Sequence, residues 1–503
     1  MSATAIAHRP WILTALMLFM MLAAMDVTIV STAVPQIVAE LGDFSLFTWV
    51  FSIYLLTQTV TIPVYGKLAD LYGRKPILIT GASIFLIGSV ACAWAWDMPS
   101  LIVFRGLQGL GAGAIMATVN TLAGDLYSLE ERGKVQGYLS SVWGIAAISG
   151  PLLGGTFVEY VTWHWIFLVN LPIGVLAIGL LVAFLHEDVL KKRHHIDYLG
   201  SMAILAGVGS LIFALMQGGT AWAWSSNASL IAFSVAALLL AFALWTQTRA
   251  KEPIMPGWLW RNPALVGANL AMIGMGFIIM VPTAYLPTFT QAVYGLNAIS
   301  AGLVLAAISI GWPSASTLSA KLYLRIGYRN TALIGSVLIL LATLGFLALP
   351  YQASIWLIAL DQVLLGAGFG LLSTPLLVGA QASVGWQQRG VVTGANMFSR
   401  FLGQSLGIAV FGTLFNGNLA HLLAQAPAHL KASLPKEIDE VVISLQQSDQ
   451  VAEASRYLRH SVFDAVYGLY IGLAVMAILV LIIVAISPRQ FNQHQSEPKP
   501  LRT

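Results

Sequence analysis

Apolar residues in this chain come in long runs, and polar residues gather in short clusters between them. Fourteen runs approach or exceed the roughly 20 residues that an α-helix needs to cross a bilayer. They lie near 12–34, 46–65, 76–96, 101–124, 135–158, 164–185, 199–217, 228–247, 264–291, 299–319, 331–349, 354–378, 391–415 and 463–487. Two such runs joined by a short polar link read as a membrane hairpin, because lipid offers backbone groups no other partner. The pattern predicts an all-α membrane protein with 14 transmembrane helices, and an even number puts both termini on one side. The first run contains Asp26 and is followed by no small-residue cleavage site, so it reads as a retained helix and not as a signal peptide.

Composition supports the same class. Of 503 residues 58% are hydrophobic and 9% charged, against about 25% charged in soluble domains, so most of this surface cannot face water. The net charge of +4 is no nucleic-acid footprint, since the cations are scattered among loops bordering apolar runs. Of 25 Lys and Arg, 19 fall on the loops and tails of one side; Lys431, Lys436, Arg456 and Arg459 share the long loop 416–462 of the other. The last two, Arg105 and Arg400, lie inside spans. By the positive-inside rule both termini are expected in the cytoplasm, with the chain in the cytoplasmic (inner) membrane. A single cysteine, Cys92, leaves no intrachain disulfide or cysteine metal cluster, and no metal is expected. No Walker-type phosphate loop is present, which argues against direct ATP drive.

The halves look related. The link Gly66-Lys67-Leu68-Ala69-Asp70-Leu71-Tyr72-Gly73-Arg74-Lys75 returns in weaker form over 321–330, again after the second span of a six-span block. The glycines of 106–113 in the fourth span have a counterpart over 365–370 in the twelfth. Spans 1–6 and 9–14 then read as repeats and spans 7–8 as an insertion, bounded by the linkers 186–198 and 248–261. The expected units are an N-terminal bundle 1–190, an inserted pair 191–262 and a C-terminal bundle 263–503 that carries loop 416–462. Such repeats build alternating-access transporters, with the substrate site at their interface.

Segment 66–75 resembles the signature loop of the major facilitator superfamily, G-x-L-a-D-r-x-G-R-K, at nearly every specified position. Arg105-Gly-Leu-Gln108-Gly109 resembles that family's fourth-span motif, and Gly150-Pro151-Leu-Leu-Gly154-Gly155 its antiporter element in the fifth. The fuller antiporter pattern has a glycine where this chain has Ala146. Met25-Asp26-Val-Thr28 through Pro35, and Trp163-His164-Trp165-Ile-Phe167-Leu-Val-Asn170-Leu-Pro172, are similar to motifs of the fourteen-span drug:proton antiporter branch, with His164 where Arg is usual. The resemblance covers nearly the whole chain and implies a facilitator fold: two six-helix bundles plus two inserted helices. It implies a transporter and not an enzyme, and says little about substrate.

Asp26 and Arg105 are the candidates for proton coupling. An aspartate at a helix centre costs about 2.5–3.5 kcal/mol on insertion scales, so Asp26 is expected to face protein or a cavity. At about 1.5 Å per residue both charges fall in the external half of the membrane. They read either as an exchangeable proton site or as a permanently ionised structural pair. In loop 66–75, Asp70 can meet a helix N-terminus or Arg74 and hold one conformation until the halves separate; Gly66 and Gly73 belong to the same conformational motif. Gly150, Pro151, Gly154 and Gly155 are placed at the moving interface between halves, with packing inside one half as the other reading. Asp361 is a candidate acidic contact for cationic substrates, or else a partner of Arg400. Trp143, Trp312 and Phe369 are candidates to stack flat cations in a cavity. His164 reads as an interfacial residue or a proton relay.

The expected activity is efflux of amphipathic, often cationic compounds in exchange for protons, with the proton gradient as energy source and no cofactor. The expected partners are small amphipathic substrates, protons and membrane lipid, with no nucleic acid, and a monomer is expected. The rival reading is a translocator of lipids or envelope components that engages an envelope partner through loop 416–462, where 435–447 has helical patterning.

Overall fold

A backbone in lipid must satisfy its own polar groups, and the apolar runs do so as helices. The computed structural model describes residues 8–43, 46–187, 197–219, 222–431, 434–435 and 452–489. The long helices are α1 Arg9–Ile29, α2 Phe47–Tyr72, α3 Arg74–Ala93, α4 Met98–Leu126, α5 Leu129–Tyr160, α6 Asn170–Phe184 and α7 Tyr198–Gln217. They continue as α8 Asn227–Arg249, α9 Pro263–Tyr294, α10 Ile308–Ile326, α11 Tyr328–Ala348, α12 Ile355–Ala382, α13 Arg389–Ala424 and α14 Ala452–Ile486. Among the described residues 13 helices are long and apolar enough to cross a membrane. The fourteenth, α2, has the length at 26 residues but is diluted by Thr57, Gln58, Thr59 and Thr61.

Short, specific links join the helices. Gly73 (φ 97°, ψ 157°) turns the chain from α2 into α3, and Gly327 (φ 87°, ψ 161°) does the same from α10 into α11. A side chain would strain both turns. The matched pair reproduces the repeat seen between 66–75 and 321–330. At the start of α5, Ser128 and Glu131 form a capping box, which satisfies the first free N–H groups of that helix.

Apolar side chains collect into two main cores. One runs from Ile12 to Ile254 and is joined by Leu377, Met397, Phe398 and Phe401; the other runs from Leu259 to Val484. These are the two bundles. They meet along two seams, α2 against α13 and α5 against α10. The inserted α7 lies against both α2 and α13, while α8 packs on α7. Trp224, between α7 and α8, donates to Thr413 Oγ1 of α13 at 3.0 Å. The inserted pair therefore runs beside one seam.

The structure lengthens two spans. α13 continues to Ala424 and α14 begins at Ala452, where the runs suggested 415 and 463. The extensions hold together outside the apolar belt because Leu419, Leu458 and Val462 stay in the second core and Tyr457 donates to Leu422 O at 2.6 Å. The patterned stretch 435–447 lies outside the described residues apart from Pro435.

Candidate functional site

Asp26 lies on α1, fully buried, and is held from three directions. Arg105 Nη1 of α4 donates to Oδ2. Gln108 Nε2, one turn along the same helix, donates to Oδ1 at 2.7 Å, and Asn170 Nδ2 of α6 reaches that oxygen at 3.4 Å. The spacing of three residues on α4 places Arg105 and Gln108 on one face, and Arg105 Nη1 also donates to Gln108 Oε1 at 2.7 Å. Ser89 of α3 accepts from both Gln108 and Asn170, at 3.2 and 2.9 Å. The Arg105 guanidinium sits 4.3 Å from the ring centroid of Tyr54. Its Nη2, Tyr54 Oη and Asn170 Oδ1 are buried without hydrogen-bond partners. Cys92 is buried at the edge of the network, its Sγ 3.8 Å from Gln108 Oε1. A carboxylate so enclosed has one partner charge, and protonating it would leave that cation alone in an apolar interior.

At the face that carries loop 66–75, a second network ties the bundles together. Arg74, fully buried, donates from Nη2 to Asp70 Oδ1 at 2.8 Å and from Nε to Asp125 Oδ2 of α4 at 2.9 Å. The same Nη2 reaches Trp386 O at 2.6 Å, and the guanidinium lies 3.8 Å from the Trp386 ring centroid. Asp70 in turn caps α13: its two oxygens accept from Gly390 N at 2.9 Å and Val391 N at 2.8 Å. Those N–H groups are the free donors of a helix N-terminus, where a negative charge is favoured. Arg389 of α13 reaches back to Asp125 Oδ1 at 3.0 Å. Gly66 permits the approach, since a Cβ there would strike Gly390 O.

The remaining candidates are placed differently. Gly150 and Gly154 pack against Thr28 of α1 and Thr32 of the short 3-10 turn Val30–Thr32 that follows it, inside the N-terminal bundle and not between the halves, and Gly155 has open space beside it. Pro151 is exposed. The contacts of α5 across the seam come from its earlier turns, where Gly137 meets Pro313 and Thr317 and Gly144 meets Ser309. Asp361 neither joins Arg400 nor faces the other bundle. Its Oδ2 accepts from Gln362 at 3.0 Å, and Oδ1 lies against Gly345 of α11. The run identified its helix, but helical phase turns the carboxylate toward α11 and α14. Phe369 is likewise fully buried in the second core, 5.4 Å from the Trp312 ring, so it does not line a cavity. Trp312 and Trp143 are each half-buried in their own bundles. His164 stacks on Trp163 and stands 4.0 Å from Glu40.

Sequence reasoning passed over Asp125, Arg389, Trp386, Ser89 and Tyr54. Asp125 and Arg389 read as ordinary charges at span ends, and nothing local says that they meet across 264 positions of chain. Ser89 and Tyr54 are polar groups within apolar runs, which was the available signal.

Two membrane-spanning bundles, touching along paired seams and locked at one face, are the architecture of a membrane transporter. The Major Facilitator Superfamily profile matches residues 16–408. Multidrug resistance protein 3 of Bacillus subtilis (strain 168) is 30% identical over 485 residues, covering 96% of this chain and 94% of that one. Multidrug transporter protein MdtP of the same organism is 32% identical over 440 residues, 88% and 81% of the two chains. Among solved structures, the proton:xylose symporter XylE superposes with a TM-score of 0.61 at 15% identity, over 97% of this chain and 98% of that one. The human organic anion transporter MFSD10 gives 0.60 at 14%, over 96% and 100%. At these identities the two structures speak to fold alone. The chain belongs to the Major Facilitator Superfamily, as a transporter of the multidrug efflux type.

Proposed function

We propose that the protein exports amphipathic, often cationic compounds across the cytoplasmic membrane by alternating access, in exchange for inward-moving protons. The observation that carries the coupling step is the fully buried Asp26, bonded to Arg105 and Gln108 inside the N-terminal bundle. Protonation of Asp26 cancels its charge and releases Arg105, so the two states of one carboxyl group favour two arrangements of the surrounding helices. Each charge that crosses the field carries about 2.3 kcal/mol per 100 mV, enough to drive uphill export. The Asp70–Arg74–Asp125 network then acts as the latch of the face with the basic loops, which the positive-inside rule assigns to the cytoplasm together with both termini. The printed functions of the two Bacillus relatives, multidrug resistance and multidrug transport, support the substrate class.

The experiment is drug-induced proton release from membrane vesicles bearing Asp26→Asn. The variant should lose stability, because the amide oxygen can accept from only one of Arg105 and Gln108 and the buried pair is broken. The protein that still reaches the membrane should bind drug but lose proton-driven efflux. Proton release equal to that of the unaltered protein would sink the assignment of Asp26.

A further inference from the structure

An arginine deep in a span ordinarily answers a carboxylate, as Arg105 answers Asp26. Arg400 does not. It stands 11 residues into α13, about 16 Å along the axis from the basic-face end at 1.5 Å per residue, near mid-membrane depth. Among the described residues no acidic side chain lies within 4.0 Å of its guanidinium. Its Nε is buried without a hydrogen-bond partner, and among the described residues its charge is stabilised by the Phe401 ring at 4.9 Å. One turn nearer the basic face Asn396 is fully buried, and neither its amide oxygen nor its amide nitrogen has a partner.

Helical phase aims both groups. Met397 Sδ accepts from Asn120 Nδ2 of α4, in the other bundle, while Gly403 backs onto Ile273 of α9. Arg400 is three residues from each and bisects them, so it points between α4 and α9; Asn396, four residues away, lies about 40° from it. Arg400 therefore presents unused donors toward the space between the bundles, where repeat-built transporters hold their substrates, while the fully buried Asn396, about 20° from the Gly403 direction, lies on the α9 side of it. A guanidinium is a planar fork matched to the two oxygens of a carboxylate. A half-buried cation whose Nε is buried and unpaired, beside a fully buried amide left unsatisfied, is costly to a fold unless a ligand completes it.

We propose that Arg400, assisted by Asn396, is an anion-recognising subsite that takes the carboxylate of amphipathic acids and zwitterions. The inference rests on the efflux reading for its biological meaning, and extends the substrate class beyond cations. Asp361 leaves the site uncompensated, because it is turned to α11 and α14.

Binding to the purified full-length protein tests this without turnover. Three probes of similar size are titrated: an arylalkyl carboxylate, its methyl ester and a lipophilic ammonium ion. The carboxylate should bind more tightly than its ester. Arg400→Gln should weaken the carboxylate roughly tenfold to a hundredfold, the range of a charge-assisted hydrogen bond, and shift the other two by less than about twofold. Arg400→Lys, which keeps the charge but not the fork, should fall between. Asn396→Asp should erase the carboxylate preference by supplying Arg400 with an internal anion, and it decides the matter if Arg400→Gln does not fold. No carboxylate preference in the unaltered protein, or an equal loss for all three probes in Arg400→Gln, overturns the proposal. Failure of proton-driven efflux in vesicles would overturn the transport reading while leaving the binding result intact.

Discussion

Asp26 and Asp361 are both carboxyl groups buried in spans, and their neighbours separate them. Asp26 has a cation, an amide and a second amide within reach; among the described residues Asp361 has one amide and no cation. Breaking a buried pair by deleting one partner costs about 3–5 kcal/mol, whereas neutralising a lone buried charge removes a desolvation penalty. Asp361→Asn should therefore leave the melting temperature in detergent unchanged or higher, and should not alter the ratio of dication to monocation efflux. A selective loss of dication transport would restore Asp361 as a substrate contact. Sequence patterning identified both acids because a charge in an apolar run is conspicuous. It could not tell which way each one points, since a run of apolar residues on every side hides helical phase. The partners of Asp26 were partly visible: Gln108 and Asn170 belong to recognisable motifs, while Ser89 and Tyr54 have no such flag.

The lock at the basic face depends on where helices end. α2 ends at Gly73 and α13 begins at Arg389, so the carboxylate of Asp70 meets backbone donors that no turn of α13 can satisfy. The weaker repeat over 321–330 keeps the turn at Gly327 but has Leu324 where the first has Asp70. Arg329 there caps the end of α14 through Val484 O and Ala485 O, inside its own bundle. Both related segments thus reach across a seam, the first through the charged Asp70 network and the second through the Tyr323 hydroxyl, which donates to Leu129 O of α5. Asp70→Asn takes the charge out of three hydrogen bonds, from Arg74, Gly390 and Val391, each worth about 1.5–3 kcal/mol when charge-assisted, against about 1.4 kcal/mol for a tenfold shift between conformations. Transport should slow by about tenfold or more, with equilibrium drug affinity changed by less than about threefold. Distance measurements between spin labels on the two bundles should show the basic face opening. A large loss of affinity with unchanged distances would count against a latch. The ten-residue signature made this loop legible, and Asp125 and Arg389 remained hidden because their meeting is a product of assembly.

The spans are legible in the sequence because hydropathy and length are local and the membrane imposes one secondary structure. The ends of α13 and α14 escaped because packing on the second core, not lipid, extends them. The fifth-span glycines were expected at the seam and lie against α1, whereas the seam itself uses Gly133, Gly137 and Gly144 earlier in α5. A small residue announces close approach without naming the neighbour.

Cys92 gives the molecule a practical property. It is the only thiol in 503 residues, it is fully buried, and it sits beside the Asp26 network. A maleimide should therefore label the native protein at close to zero stoichiometry and reach one per chain only after denaturation. Appreciable labelling under native conditions would mean that the Asp26 region opens to water. With that silent background, any cysteine introduced at a seam or a loop reports on itself alone, and the chain can be probed as it stands, without first being stripped of its own thiol.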